Sequence, residues 1–380
     1  MIIGFLADKI PYKARRGWGV YSYQLLKAIL SVDKENTYRC FYNIFLKGDK
    51  KSILSLQNPR LKNFIFPIPG RVMELLWEKW NIFPAETFLG HIDILHSPYE
   101  FLPKIKKARS VATVHDVTFL KHPEYLDPGF VKLLTRRLNH IKENADRIIT
   151  DSNNTKKELI ALSGVPPERI TVIPGGVDER FQPMEDKINI EDRVRRYGIS
   201  GHYILFVGAA DEDKNLVRLS EAFAQLTRKY KDLKLVFVGS IGWGYRHLQE
   251  KIKNLHIDNQ VIFTGYVSDS DLPALYNNAR ILAIPSIHEG FGLPALEAMA
   301  CGTPVLSSNT SSLPEVVGNA AVQVNPYNVN EIADGLRRLM EDMALRQSCI
   351  KKGLIQARQF SWELAAEKVI NLYKEIIHEH

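Results

Sequence analysis

The sequence predicts an α/β protein of two domains, each a parallel sheet with helices on both faces. Three observations predict it. Short runs rich in Val, Ile and Phe alternate with amphipathic helical runs over almost all of the 380 residues, the pattern of strands joined by crossover helices. The chain exceeds what one hydrophobic core usually supports. A stretch rich in Gly, Pro and charge, Pro174 to Ser200, divides the runs into two series.

In the first series, strands are expected within Ile2–Ala7, Tyr38–Phe45, Ile92–Ser97, Ser110–Asp116, Arg147–Ser152 and Ile170–Pro174, with a helix over Val20–Leu30. The second series expects strands within His202–Gly208, Leu233–Gly239, Gln260–Val267, Arg280–Ser286, Thr303–Ser308 and Ala320–Asn325. Apolar residues at helical spacing predict a terminal helix in Phe360–His380. The domain boundary falls near residue 184, giving domains 1–183 and 184–360.

Composition excludes several classes. Hydrophobic content of 45% with 24% charged residues describes a soluble globular chain. No apolar run approaches the roughly 18 to 20 residues of a membrane-spanning helix. The N-terminus, lacking a basic segment and a small-residue cleavage site, reads as a first strand. Cys40, Cys301 and Cys349 are odd in number and far apart, which argues against a disulfide framework and for a reducing cytoplasm. The histidines form no HExxH pair, and no metal site is expected.

The net charge of +7 is unevenly spread, since residues 1–183 hold 28 Lys and Arg against 19 Asp and Glu. The clusters Lys13–Arg16, Lys104–Arg109 and Leu133–Leu138 suit an anionic partner or a solvated surface. The stretch Arg71–Phe83, "RVMELLWEKWNIF", leaves two readings open. It is a membrane-facing aromatic segment, or Trp77 and Trp80 form one face of a core helix.

Gly208, Gly239 and Gly265 each end or follow a strand-like run, where ligands collect in open parallel sheets and a Cβ obstructs close approach. Three such ends suggest a nucleotide-sized site. It is not a Walker A loop, because "GSIGWGY" lacks the required Lys and Ser/Thr. The stretch "HEGFGLPALEAMACGTPV" sets Glu289 in a loop and Glu297 about a turn inside a helix that starts near Leu293 and Pro294. The free N–H groups of that start attract phosphate. Carboxylates flanking it suit neutral partners such as sugar hydroxyls. Taken alone, Glu297 would be a solvent-facing helical glutamate.

These motifs, with "VIPGGVD", "VGAADEDKNL", "FTGYVSDSDLPALYNNA" and "ATVHDVTFLKHPE", resemble glycosyltransferase family 4, retaining enzymes of the GT-B fold. The likeness is nearest to bacterial mannosyltransferases of O-antigen and capsule synthesis. It implies two Rossmann-like domains, with the segment 361–380 packing back on the first. It implies that Glu289 grips the transferred sugar near Gly290, Phe291 and Gly292, that Glu297 grips the ribose, and that Leu293 and the helix start meet the diphosphate.

By the same resemblance Lys214 binds phosphate, with Asn215, Gly208, Tyr266 and Val267 around the donor. Gly17 and Gly19 belong to a glycine loop, and His115 contacts the donor sugar. Asp116, Arg218 and Ser152 are secondary candidates. Many relatives read Arg-Lys-Asn where this chain reads Asp213-Lys214-Asn215, so a second cation for the diphosphate is not expected there.

The resemblance further implies metal-independent transfer of a hexose, most simply mannose from GDP-mannose, to a saccharide or lipid-linked saccharide acceptor. Other nucleotide sugars share every motif quoted, and a non-catalytic nucleotide-sugar binder is the alternative outside catalysis. Peripheral association with the cytoplasmic membrane and no nucleic-acid partner complete the expectation.

Overall fold

A computed structural model describes residues 1–10, 17–44, 56–80 and 82–379. The basic cluster Lys13–Arg16 and the last residue of the run Tyr38–Phe45 lie outside the described residues. The first sheet holds β1 (Ile2–Leu6), β2 (Thr37–Asn43), β3 (Leu61–Phe66), β4 (Ile94–Ser97), β5 (Arg109–Val114), β6 (Arg147–Thr150) and β7 (Ile170–Val172). Its order is β3-β2-β1-β4-β5-β6-β7, every neighbouring pair parallel.

The second sheet holds β8 (Tyr203–Val207), β9 (Lys234–Val238), β10 (Val261–Gly265), β11 (Ile281–Ile284), β12 (Val305–Ser308) and β13 (Val322–Val324). Its order is β10-β9-β8-β11-β12-β13, again all parallel. In each sheet the order reverses beside the first strand, β1 or β8, which marks the switch point of a doubly wound sheet. The chain forms two compact units: Met1–Val117 with Lys132–Gly176 and Trp362–His380, and Thr118–Val131 with Val177–Ser361.

Each expected run contains a strand. β3 was not among them, and its sequence explains why. "LKNFIF" carries Lys62 and Asn63 and lies half-exposed at the sheet edge, where no continuous apolar run is needed.

In the second unit, β8 shows why the buried strands read so clearly. Tyr203 and Leu205 point into the core beside the helices Leu272–Asn278 and Leu293–Ala300, while Ile204 and Phe206 point into the core beside Leu216–Thr227 and Val329–Glu341. A strand covered on both faces must be apolar at every position.

In the first unit, the helix Trp362–His378 buries Ala365, Ala366, Val369 and Tyr373 and packs on the helix Gly17–Val32. Tyr373 Oη lies 2.6 Å from Nδ1 of His96, a buried imidazole whose pKa burial lowers to about 3. His96 is therefore neutral at physiological pH.

The two tryptophans of Arg71–Phe83 do not share one buried face. A π-type turn spans Glu74–Lys79, with the Trp80 N–H donating five residues back to Leu75 O at 2.8 Å. The extra residue in the turn separates the two tryptophans. Trp77 is buried against Phe41, Phe88 and Phe101, whereas Trp80 is 55% exposed.

Candidate active site

The carboxyl ends of β8, β9 and β10 surround a cavity of about 350 Å³ lined by Gly208, Gly239, Ser240, Ile241 and Gly265. Gly239 shows why glycine is required here. At φ +135 its missing Cβ would stand 2.0 Å from the carbonyl oxygen of Gly208, so the two strand-end loops close on each other only without a side chain.

Next to these ends, the loop after β8 forms a short turn over Glu212–Lys214. Asn215 follows in the left-handed region, φ 62. Its amide donates to Pro285 O at 2.9 Å and Pro326 O at 2.7 Å, while its Oδ1 accepts from Arg218 Nη1 at 2.9 Å. Asn215 thus spends its amide and its carbonyl inside the protein and positions the loop that carries Lys214. Arg218, considered as a second cation, holds Asn215 and lies over the Tyr327 ring at 5.6 Å.

Lys214 Nζ stands 2.9 Å from Asp213 Oδ2 and 3.0 Å from Glu289 Oε2. Burial alone would lower its pKa, but the two carboxylates outweigh that and raise it, so the ammonium stays charged. Glu289 is held at both its carboxylate and its backbone. Ser286 Oγ donates to its Oε1 at 2.9 Å, and its backbone carbonyl accepts from Ser311 Oγ at 2.6 Å and Ser312 Oγ at 2.7 Å. The sequence reading missed these serines. They sit at the ends of β11 and β12, as the motif's placement beyond a strand end allows.

The helix Leu293–Ala300 starts three residues after Glu289's neighbour Gly290, with Gly292 at its N-cap in a left-handed conformation, φ 107. A Cβ on Gly292 would meet Leu313 Cδ2 at 2.7 Å. Pro294 occupies the first turn, where its missing N–H costs nothing. Gly290 and Phe291 are buried, and Phe291 packs edge-on against Phe360.

One turn inside, Glu297 Oε2 accepts from Tyr276 Oη at 2.7 Å. Burial pushes the Glu297 carboxyl up to about 7, against the pull of Tyr276 and the Arg180 charge. Val267 is buried in the core, while Tyr266 is 49% exposed with its hydroxyl 3.2 Å from Asp269.

A second cavity, of about 300 Å³, is lined by Asn215, Arg218, Ile287 and Tyr125. Tyr125 comes from the Thr118–Val131 segment of the same unit. In that segment Thr118 Oγ1 lies 2.8 Å from Nδ1 of His288, the residue before Glu289.

In the first unit, His115 follows β5. Its Nδ1 lies 2.5 Å from Asp151 Oδ2, its Nε2 lies 3.0 Å from Pro98 O, and its backbone N–H donates to Glu100 Oε1 at 2.6 Å. Burial alone would lower its pKa, but Asp151 and Glu100 outweigh it and push it up to about 10. His115 is a largely but not fully buried imidazolium with both ring nitrogens engaged within the protein. Burial in turn raises Glu100 to about 7, against the pull of His115.

Asp116 is half-buried beside it. Ser152 caps the helix Asn153–Ser163, its Oγ accepting the Thr155 N–H at 3.0 Å. Gly17 and Gly19, expected in a loop, instead lie in the first turn of the helix Gly17–Val32. Among the described residues no group of three His, Cys, Asp or Glu is arranged to hold a metal ion, and no helix is long and apolar enough to cross a membrane.

Two family models match the chain: "Glycosyl transferases group 1" over residues 191–356 and "Glycosyltransferase Family 4" over residues 45–181. The O-antigen chain mannosyltransferase B of Escherichia coli is 34% identical over 387 residues, covering 98% of this chain and all of that protein. The serotype-specific mannosyltransferase WbdA of Escherichia coli is 29% identical over 309 residues, and the match spans 78% of this chain but 37% of WbdA. A sucrose-phosphate synthase from Thermosynechococcus elongatus shares the fold, with a TM-score of 0.79, 22% identity and full coverage of both chains. The chain is a glycosyltransferase of the GT-B fold, and it belongs to glycosyltransferase family 4.

Proposed function

We propose that the second unit binds a nucleoside-diphosphate sugar and that the chain transfers a hexose, mannose from GDP-mannose, to a saccharide or lipid-linked saccharide acceptor in surface-polysaccharide synthesis. One observation carries the donor assignment. The Lys214 ammonium and the Glu289 carboxylate meet at 3.0 Å immediately before a helix start, with Glu297 one turn inside that helix. A cation and free backbone N–H groups suit the diphosphate. A carboxylate on either side suits sugar and ribose hydroxyls. The names of the relatives, both mannosyltransferases, support mannose.

In this reading Glu289 orients the transferred sugar, and Lys214 with the helix start stabilises the departing nucleoside diphosphate. The acceptor oxygen bonds to the anomeric carbon on the face the diphosphate leaves, so configuration is retained. The glycosidic C–O bond to phosphate breaks, and the acceptor proton passes to the leaving phosphate oxygen. No enzymic base and no metal enter that balance. The first unit takes the acceptor, and His115 is a fixed positive charge just after its β5.

The first unit also carries a surface suited to an anionic membrane. Trp80, Ile82 and Phe83 are exposed, and the neighbouring Ala85 N–H donates to the carbonyl of Lys104 at 2.8 Å, at the start of the basic run Lys104–Arg109. Exposed aromatics beside cations fit a lipid interface. This surface supports the reading of peripheral attachment to a membrane.

The test is a thermal-shift series with GDP, UDP, ADP and dTDP and their sugars, followed by transfer assays with whichever donor stabilises most. GDP and GDP-mannose are expected to raise the melting temperature most. A larger shift with UDP-glucose or another donor would overturn the mannose assignment.

A further inference from the structure

Asp213 stands where many relatives carry a cation, and its surroundings define a task for it. The side chain is 7% exposed, Oδ2 holds Lys214 at 2.9 Å, and among the described residues Oδ1 has no hydrogen-bond partner. Its backbone carbonyl accepts the Ile287 N–H at 2.8 Å, two residues from Glu289, so the carboxylate is fixed to the same loop. The charged groups acting on it are Lys214 and Asp211 from its own loop and Glu289 from the loop after β11.

One ammonium therefore serves two carboxylates, and the cluster of Asp213, Lys214 and Glu289 carries a net charge of −1 before any donor arrives. A diphosphate adds at least two negative charges beside the same ammonium. Like charges gathered at one cation cannot all remain ionised without large cost.

We propose that Asp213 takes up a proton when the diphosphate of the donor binds at Lys214. This rests on the reading of Lys214 as the phosphate ligand. Two features select Asp213 over Glu289. Glu289 keeps the Ser286 hydroxyl on Oε1 whatever Lys214 does. Asp213 loses the one side-chain partner it has among the described residues when the ammonium turns to phosphate, and its second oxygen already lacks a donor there. Burial raises the Asp213 carboxyl even in the empty protein, with Glu289 adding to the rise and Lys214 opposing it. The protonated carboxyl presents an O–H donor in place of a negative charge, so the subsite becomes compatible with the diphosphate.

Linkage fixes the sign. A site that gains a proton on binding loses affinity as pH rises, up to about tenfold per pH unit for one proton. Release of nucleoside diphosphate is correspondingly favoured when Asp213 ionises.

The experiment is calorimetric titration of the full chain with GDP, or with UDP if GDP gives no heat, in buffers of different ionisation enthalpy. The work is done at about pH 8, where the terminal phosphate is ionised and Glu297, at about 7, is largely ionised as well. The wild type should take up on the order of one proton. Asp213→Asn, checked for an unchanged melting curve, should take up none, bind more tightly, and, above about pH 8 where Glu297 is already ionised, show affinity that no longer falls as pH rises. Binding without proton uptake by the wild type, which needs no variant, overturns the proposal alone. Equal uptake by Asp213→Asn does the same. If GDP and UDP fail to bind, and ADP and dTDP fail as well, Lys214 is not a phosphate ligand and the donor reading fails with it.

Discussion

Tyr276, on the helix Leu272–Asn278, donates its hydroxyl hydrogen to Glu297 Oε2 on the helix Leu293–Ala300 at 2.7 Å. The bond aims the carboxylate and favours its ionised form. Removing it with Tyr276→Phe should raise the Glu297 carboxyl further above about 7, because one of the influences holding it down is gone. Nucleotide Kd near neutrality should rise about two- to tenfold, the value of one hydrogen bond at ~0.5–1.5 kcal/mol. The gain in affinity on raising pH through about 7 should move to higher pH. Calorimetry across pH checks both, and an unshifted profile would remove Glu297 from the ribose subsite.

Glu289 is the carboxylate through which loss of catalysis should be separable from loss of binding. Glu289→Gln keeps the shape and an acceptor for Ser286 while removing the charge beside Lys214. Transfer should fall by about 10²-fold or more, with GDP affinity unchanged or improved. Single-turnover rates and nucleotide titration on the same sample measure the two. Full transfer activity in the variant would show that Glu289 does not hold the sugar.

Asp151 supports His115 from the end of β6. Asp151→Asn leaves the imidazolium without its nearest counter-charge, a loss of about 3–5 kcal/mol for a broken buried pair. His115 is raised to about 10 in the folded chain, above its unfolded value of about 6.5. Its contribution is therefore complete below about 6.5 and is lost as pH rises towards about 10. Urea unfolding at mildly acidic and alkaline pH should show wild type and variant converging as pH rises. A constant gap would mean that His115 is neutral in the native state.

Trp80 and Phe83 should be dispensable for folding but needed at a membrane. The double change Trp80→Ser with Phe83→Ser should lower the melting temperature only slightly, because Trp80 is 55% and Phe83 41% exposed. It should abolish flotation of the chain with vesicles containing phosphatidylglycerol at low salt. Failure of the wild type to float would reject the membrane surface.

The legible parts of the protein were those whose chemistry is local in sequence. β8 and β11 are buried on both faces, so every residue had to be apolar and the strands stood out. β3 lies at an edge with Lys62 and Asn63 in it, and local pattern could not separate it from loop. Glu289, Gly292 and Glu297 share one strand-end loop and helix start, so their grouping could be read directly.

The partners of those residues come from remote segments. Lys214 reaches Glu289 across 75 positions of sequence, and Tyr276 reaches Glu297 across 21. A parallel sheet brings such residues together through its strand order, which only the fold reveals. His115 illustrates the same limit. "HD" at a strand end shows nothing of the ring's partners, which are Asp151, 36 residues on, and the Pro98 carbonyl. Arg71–Phe83 resisted for another reason, since one π-type turn changes which tryptophan faces inward.

The amide of Asn215, donating at once to Pro285 O and Pro326 O, couples three strand ends mechanically. The loops after β8, β11 and β13 form one pinned truss rather than three independent arms. Thermal wobble in any one of them is shared by the others, so the spacing between Lys214 and Glu289 holds while the surrounding loops drift.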